Sequence, residues 1–175
     1  MNFYTTTGTP DFMETIKNKH GGEDMVLLYG AGNALLMHET EGKTLFQTPK
    51  RYEVIGSAGP LAKHGYYVIN NIPVTDEGRP IFEHRFENRA KMMDGVPGFL
   101  TYRLLRPVKS DTYRVLTAWD SKDHYELWKG SKAFEQAHAK QRETLPAEKV
   151  QHIFTSASYV TEYTTEKAGE EENQA

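Results

Sequence analysis

The chain has 175 residues, 24 acidic against 21 basic side chains and a formal net charge of −3, enough for one or two compact domains that need no metal or disulfide staple. It contains no cysteine, which excludes disulfides, thiolate nucleophiles, zinc ribbons and covalent C-x-x-C-H cofactor attachment. No Lys/Arg-rich stripe offers a footprint for nucleic acid, the longest apolar runs, such as Met25 to Leu28, are too short to cross a bilayer, and the first residues lack a secretory signal, so the expected address is the cytoplasm.

In chain order, residues 2–7 read as a strand and 11–19 as a helix with Phe12 and Ile16 on one side. Residues 25–28 and 34–38 read as strands flanking a Gly30-Ala31-Gly32-Asn33 turn, and 52–56 as another strand. The glycine pattern at 30–35 follows an apolar run, as a dinucleotide-binding loop does. Its sixth position is Leu35, however, and residues 35–38 open no helix, so a hairpin turn explains it better. Gly56-Ser57-Ala58-Gly59 lacks the G-x-S-x-G spacing of a nucleophile elbow and reads as a loop.

The second half is clearer. Residues 66–74 form a strand ended by Pro73 and the turn residues Thr75, Asp76 and Gly78. A helix is predicted from Pro80, with Phe82, Phe86, Ala90 and Met93 on one apolar face, broken by Gly95-Val96-Pro97-Gly98. Strands 99–105 and 112–119 follow, joined by a polar turn around Lys109, Ser110 and Asp111. Ser121 suits the N-cap of a short helix through Trp128, and Gly130 its C-cap. Ser131 can cap the next helix, which carries Phe134, Ala137 and His138. A last strand is predicted over 153–163, and the polar tail 166–175 is expected to be disordered. The order over 66–165 is β-α-β-β-α-β, the ferredoxin-like arrangement. Residues 1–65 read as a worn β-α-β-β(-β) copy of it.

Seven histidines invite a metal reading, but none stands in an H-x-x-x-H pair, and a zinc or non-heme iron site needs about three converging protein ligands. Heme differs, because the porphyrin supplies four nitrogens and one axial imidazole completes the site. Taken singly, Trp119 and Trp128 read as packing residues, Asn70 and its neighbour Asn71 as ordinary strand amides, and His138 as a surface histidine.

Together they carry a resemblance. Trp128, Ser131, Phe134 and His138 stand in a W-x-x-S-x-x-F-x-x-x-H run after a strand ending Thr117-Ala118-Trp119-Asp120-Ser121, and Asn70 opens the preceding unit sixteen residues before Phe86. This resembles the heme-degrading branch of the antibiotic biosynthesis monooxygenase superfamily, over about 100 residues, and the long N-terminal extension resembles its HmoB type. The resemblance implies an α+β fold: a ferredoxin-like unit packed sheet to sheet on a degenerate N-terminal ferredoxin-like half, an α+β barrel built as a pseudo-dimer. It implies heme as substrate and cofactor together, with His138 as axial iron ligand. Asn70 would be a hydrogen-bond donor toward oxygen activated near a meso carbon, and Trp128 would press on the porphyrin face and distort it. Phe86, Phe134 and Leu127 would line the cleft. The implied reaction opens the porphyrin with O2 and electrons from a reductase or an ascorbate-like reductant, since no flavin or nicotinamide motif is present. Two other readings stand beside it: a cofactor-free oxygenase of polyketide-type aromatics, which does not require His138, and a non-catalytic heme carrier or sensor, which has no need of Asn70. Residues 1–65 are expected to replace a second subunit, giving a monomer with one heme site, with a homodimer as the alternative.

Overall fold

The computed structural model describes residues 1–21, 24–131 and 153–167. Its elements are β1 (Asn2–Gly8), α1 (Pro10–Lys19), β2 (Met25–Gly30), β3 (Asn33–Thr40), β4 (Lys50–Ala58), β5 (Tyr66–Pro73), α2 (Arg79–Arg85), α3 (Arg89–Met92), β6 (Phe99–Pro107), β7 (Thr112–Trp119), α4 (Lys122–Lys129) and β8 (Tyr159–Thr164). The strands form one closed barrel in the order β1-β3-β2-β8-β5-β7-β6-β4, with β4 returning to β1. All neighbouring pairs are antiparallel.

That order contains the same motif twice. Numbering the strands of each half from one to four, β4-β1-β3-β2 and β8-β5-β7-β6 both read 4-1-3-2. The two ferredoxin-like sheets join edge to edge through β2–β8 and β4–β6. The N-terminal copy keeps the helix after its first strand, α1, but has no helix between β3 and β4. Phe46, from the connecting loop, fills that place and is buried against Tyr4, Met25 and Leu36. The two seams differ in extent. β4 and β6 pair through six residues, from Tyr52↔Pro107 to Ala58↔Tyr102, whereas β2 and β8 share the single pair Tyr29↔Thr164 among the described residues.

Strand alternation sorts the side chains into two layers. Phe3, Val26, Leu28, Leu35, Met37, Tyr67, Ile69, Leu105 and Leu116 fill the barrel. The outer face of the C-terminal sheet packs under α2 through Ile72, Phe82, Phe86, Leu104 and Tyr113, and under α3 and α4 through Tyr66, Val68, Met93, Trp119 and Tyr125. The barrel interior also holds a nearly buried ion pair between the halves, from Arg103 Nε on β6 to Glu39 Oε2 on β3 at 2.6 Å. Ala31 and Gly32 between β2 and β3 have φ of 53° and 79°, and Gly30 pairs with Asn33 across them. This is the two-residue hairpin loop expected for the glycine pattern.

Four expectations change. The helix predicted from Pro80 through Met93 divides into α2 and α3, because Phe86 and Asn88 leave helical geometry. Phe12 is 60% exposed, and Met13 takes the buried position on α1. Gly56 to Ala58 are not loop but the end of β4, where Gly56 follows a register shift and pairs with Leu104. The last strand begins at Tyr159 rather than 153; Phe154 makes only an isolated bridge to Val74. The predicted helix with Phe134, Ala137 and His138, and the tail beyond Lys167, lie outside the described residues. No described helix is long and apolar enough to cross a membrane.

Candidate functional site

The described helices do not fully cover the outer face of the C-terminal sheet. Between α3 and α4 lies a cavity of about 530 Å³ whose wall includes Asn70, Arg89, Tyr125 and Trp128. A second, of about 360 Å³, adjoins it under α2 and shares Asn70, Arg89, Val115 and Ser158 in its wall. Together they make one cleft, with Asn70 at the junction.

Asn70 and Asn71, rivals in the sequence, are separated by the pleat. Asn71 turns into the barrel, where its Nδ2 donates to the Tyr159 carbonyl and its Oδ1 accepts from Arg114 Nε at 3.1 Å. Asn70 turns outward to the cleft, and its Oδ1 is buried with no hydrogen-bond partner among the described residues. Whichever way the amide is turned, it has bonding capacity left over.

Trp128 reaches the cleft because α4 starts where it does. The Ser121 hydroxyl accepts from the His124 backbone N–H and caps the helix. Ser131 Oγ donates to the Trp128 carbonyl at 2.6 Å beyond the other end. The Trp128 ring packs at 5.3 Å from Trp119 and 6.4 Å from Tyr125. Trp119 is fully buried and stacks edge-on against Phe99, so it holds α4 on the sheet while Trp128 forms the wall. Burial pushes the Tyr125 hydroxyl up to about 12. Leu127, expected to line the cleft, is 71% exposed on the far side of α4.

Sequence reasoning missed Arg85 and Arg89. They stand one turn apart in chain position and both line the cleft. Arg89 is buried, its guanidinium 4.7 Å above the Phe86 ring. Arg85 has Nε and Nη2 buried without hydrogen-bond partners among the described residues. Neither forms an ion pair among the described residues, and burial lowers the pKa of both. Two desolvated cations beside a mostly apolar wall favour a ligand with acidic groups on an apolar body. The signal was present as arginines spaced four apart beside Phe82 and Phe86 on a face otherwise apolar. Among the described residues no three His, Asp or Glu side chains converge as a metal site would require.

Residues 65–140, the segment that builds most of this cleft, match the family model of the antibiotic biosynthesis monooxygenases. Likeness extends beyond that segment. Over 160 residues, 91% of this chain and 92% of the relative, it is 28% identical to the signal transduction protein TRAP of Staphylococcus aureus. The TRAP of Staphylococcus epidermidis is 28% identical over 140 residues, 80% of this chain and 84% of that one. A solved structure of a major regulator of staphylococcal pathogenesis superposes with a TM-score of 0.79 at 25% identity, covering 95% of this chain and 100% of the other. LmHde, a heme-degrading enzyme from Listeria monocytogenes, superposes with a TM-score of 0.70 at 22% identity over 94% and 99% of the two chains. That last likeness is one of fold.

Proposed function

We propose that this chain is a heme-degrading monooxygenase of the HmoB type, taking heme as substrate and opening its ring with O2 and electrons from an external donor. The observation that carries the reading is the convergence of Asn70 and Trp128 on one cleft that also holds two arginines with no ion pair among the described residues. Heme is an apolar disc with two carboxylates at one edge, and this lining is suited to both parts. Phe82, Phe86, Met93 and Val115 offer apolar contact, and Arg85 and Arg89 offer charge-assisted hydrogen bonds to the carboxylates. Asn70 supplies an amide donor toward the centre of the ring. Trp128 presses on the ring face, held from behind by Trp119. His138, outside the described residues, is assigned as the axial ligand from the sequence run alone. The products are iron and a linear tetrapyrrole.

The test is a ferric heme titration followed by aerobic incubation with ascorbate. The expected result is one heme per chain with a histidine-ligated Soret band, then loss of that band with release of iron. His138→Ala should lose the ligation spectrum, and Asn70→Ala should keep heme while degrading it more slowly. A spectrum unchanged in His138→Ala would sink the ligand assignment. A second reading, a heme sensor without turnover, draws its support from the relatives named signal transduction protein TRAP. Stable heme through the ascorbate incubation would favour it.

A further inference from the structure

A further cavity, away from the cleft, has a chemistry the heme reading does not use. It measures about 640 Å³ and lies where the start of β4, the loop after β3 and the β6–β7 hairpin meet. Lys43, Lys50, Arg51 and Lys109 line it, together with Tyr4 and Tyr52, and among the described residues no carboxylate does. None of the four cations takes part in an ion pair among the described residues. Several other surface cations are paired, Lys63 with Asp24, Arg106 with Glu53 and Glu83, Lys129 with Glu126, and Lys167 with Glu14. Others, such as Lys17 and Lys122, stand singly among the described residues, and what sets these four apart is that they gather around one cavity.

The two acids that directly follow lining residues are turned aside. Glu53, after Tyr52, pairs with Arg106, and Asp111, after Ser110, accepts from the Thr112 and Thr155 hydroxyls. A fifth cation stands behind the wall, since Arg79 Nη2 donates to the Ser110 carbonyl at 3.0 Å. The frame is built from rigid parts. Tyr52 pairs with Pro107, and the Val108 N–H donates to the Arg51 carbonyl at 3.1 Å. Tyr4 and Tyr52 are almost fully buried beneath the cations. In a chain with more acidic than basic residues, four like charges gathered without a counter-charge attract a multiply charged anion.

We propose that this cavity binds a soluble polyphosphate anion, either a free polyphosphate or the phosphate chain of a nucleotide. Its volume falls within the range of small-molecule sites, roughly 300–1,000 Å³. The site draws on both halves of the barrel, so its ligand also ties the β6–β7 hairpin to the loop after β3.

The experiment is calorimetric titration of the full chain with inorganic tripolyphosphate, with ATP and with adenosine, repeated for K50E/K109E. A control, K17E/K122E, makes the same change in net charge at exposed lysines outside the cavity. Wild type and control should bind tripolyphosphate, and K50E/K109E should bind it about tenfold or more weakly. ATP binding equal to tripolyphosphate identifies a free polyphosphate site, and tighter ATP binding a nucleotide site. Absence of binding to wild type, binding of adenosine alone, or equal weakening in both variants would overturn the proposal. None of these outcomes bears on heme.

Discussion

Glu39→Ala tests how the two halves of the barrel are held together. Glu39 accepts from Arg103 Nε at 2.6 Å and from Nη2 at 3.2 Å, and the two side chains are only 16% and 6% exposed. Removing one partner of a buried pair costs about 3–5 kcal/mol, because the remaining charge is desolvated without compensation. Here Arg103 keeps the carbonyls of Gly59 and Tyr102 at 2.8 and 2.9 Å, which places the loss near the lower end, about 3 kcal/mol. For a chain of this length each kcal/mol lowers Tm by about 2–4 °C, so a fall of about 6–12 °C is expected. Urea unfolding followed by circular dichroism measures it directly. The double variant Glu39→Met/Arg103→Met should recover most of the loss, since a packed apolar pair removes the uncompensated charge. A single variant that loses less than about 1 kcal/mol, or a double variant no better than the single, would refute the argument.

Ser121→Ala removes the cap of α4 and should cost about 1 kcal/mol, with a red-shifted tryptophan emission as Trp128 loosens. Hydrogen bonding from Arg106, and secondarily from the Tyr113 hydroxyl, holds the Glu83 carboxyl below the ordinary glutamate value. A depressed folded pKa gives stability that is present above the unfolded value and lost as pH falls through the folded one. Acid unfolding of wild type should therefore steepen in that window, and Glu83→Gln should flatten the profile. Arg89→Met should leave the protein folded but reduce its preference for heme over heme dimethyl ester by about tenfold, the worth of one charge-assisted hydrogen bond; an unchanged preference in absorbance titrations would remove Arg89 from the carboxylate site. Light scattering should give about 20 kDa, one chain, and a mass near twice that would mean residues 1–65 do not replace a partner.

Most strands were legible because period-two patterning and turn residues agree. Val68, Asn70 and Ile72 alternate with Tyr67, Ile69 and Asn71 on opposite faces, so β5 could be read residue by residue. The capped helix ending at Trp128 was equally plain, since Ser121 and Gly130 bracket it. Phe12 misled because Met13 beside it is as apolar, and a one-position rotation of α1 exchanges them. Gly56 misled because glycine signals a turn locally, whereas here it follows a register shift within β4 and pairs with Leu104. Arg85 and Arg89 were hidden by the rule that charge belongs in water. Their burial is tertiary, set by where α2 stops and α3 resumes. Trp128 and Asn70 came from a spacing pattern, and only the pleat of β5 distinguishes Asn70 from Asn71.

The unequal seams give the barrel a grain. Six residue pairs lock β4 to β6, while one joins β2 to β8 among the described residues. Sheet opening follows the line with fewest backbone hydrogen bonds, so amide exchange along β2 and β8 should outrun exchange along β4 and β6. The loose edge also borders the cleft, because Ser158, Val160 and Glu162 form one bank of it. A pulling force or a thermal fluctuation that parts this line should widen the cleft before it disturbs either half's hydrophobic interior. The barrel thus hinges like a clasp, with its hinge at β4–β6 and its catch at Tyr29 and Thr164.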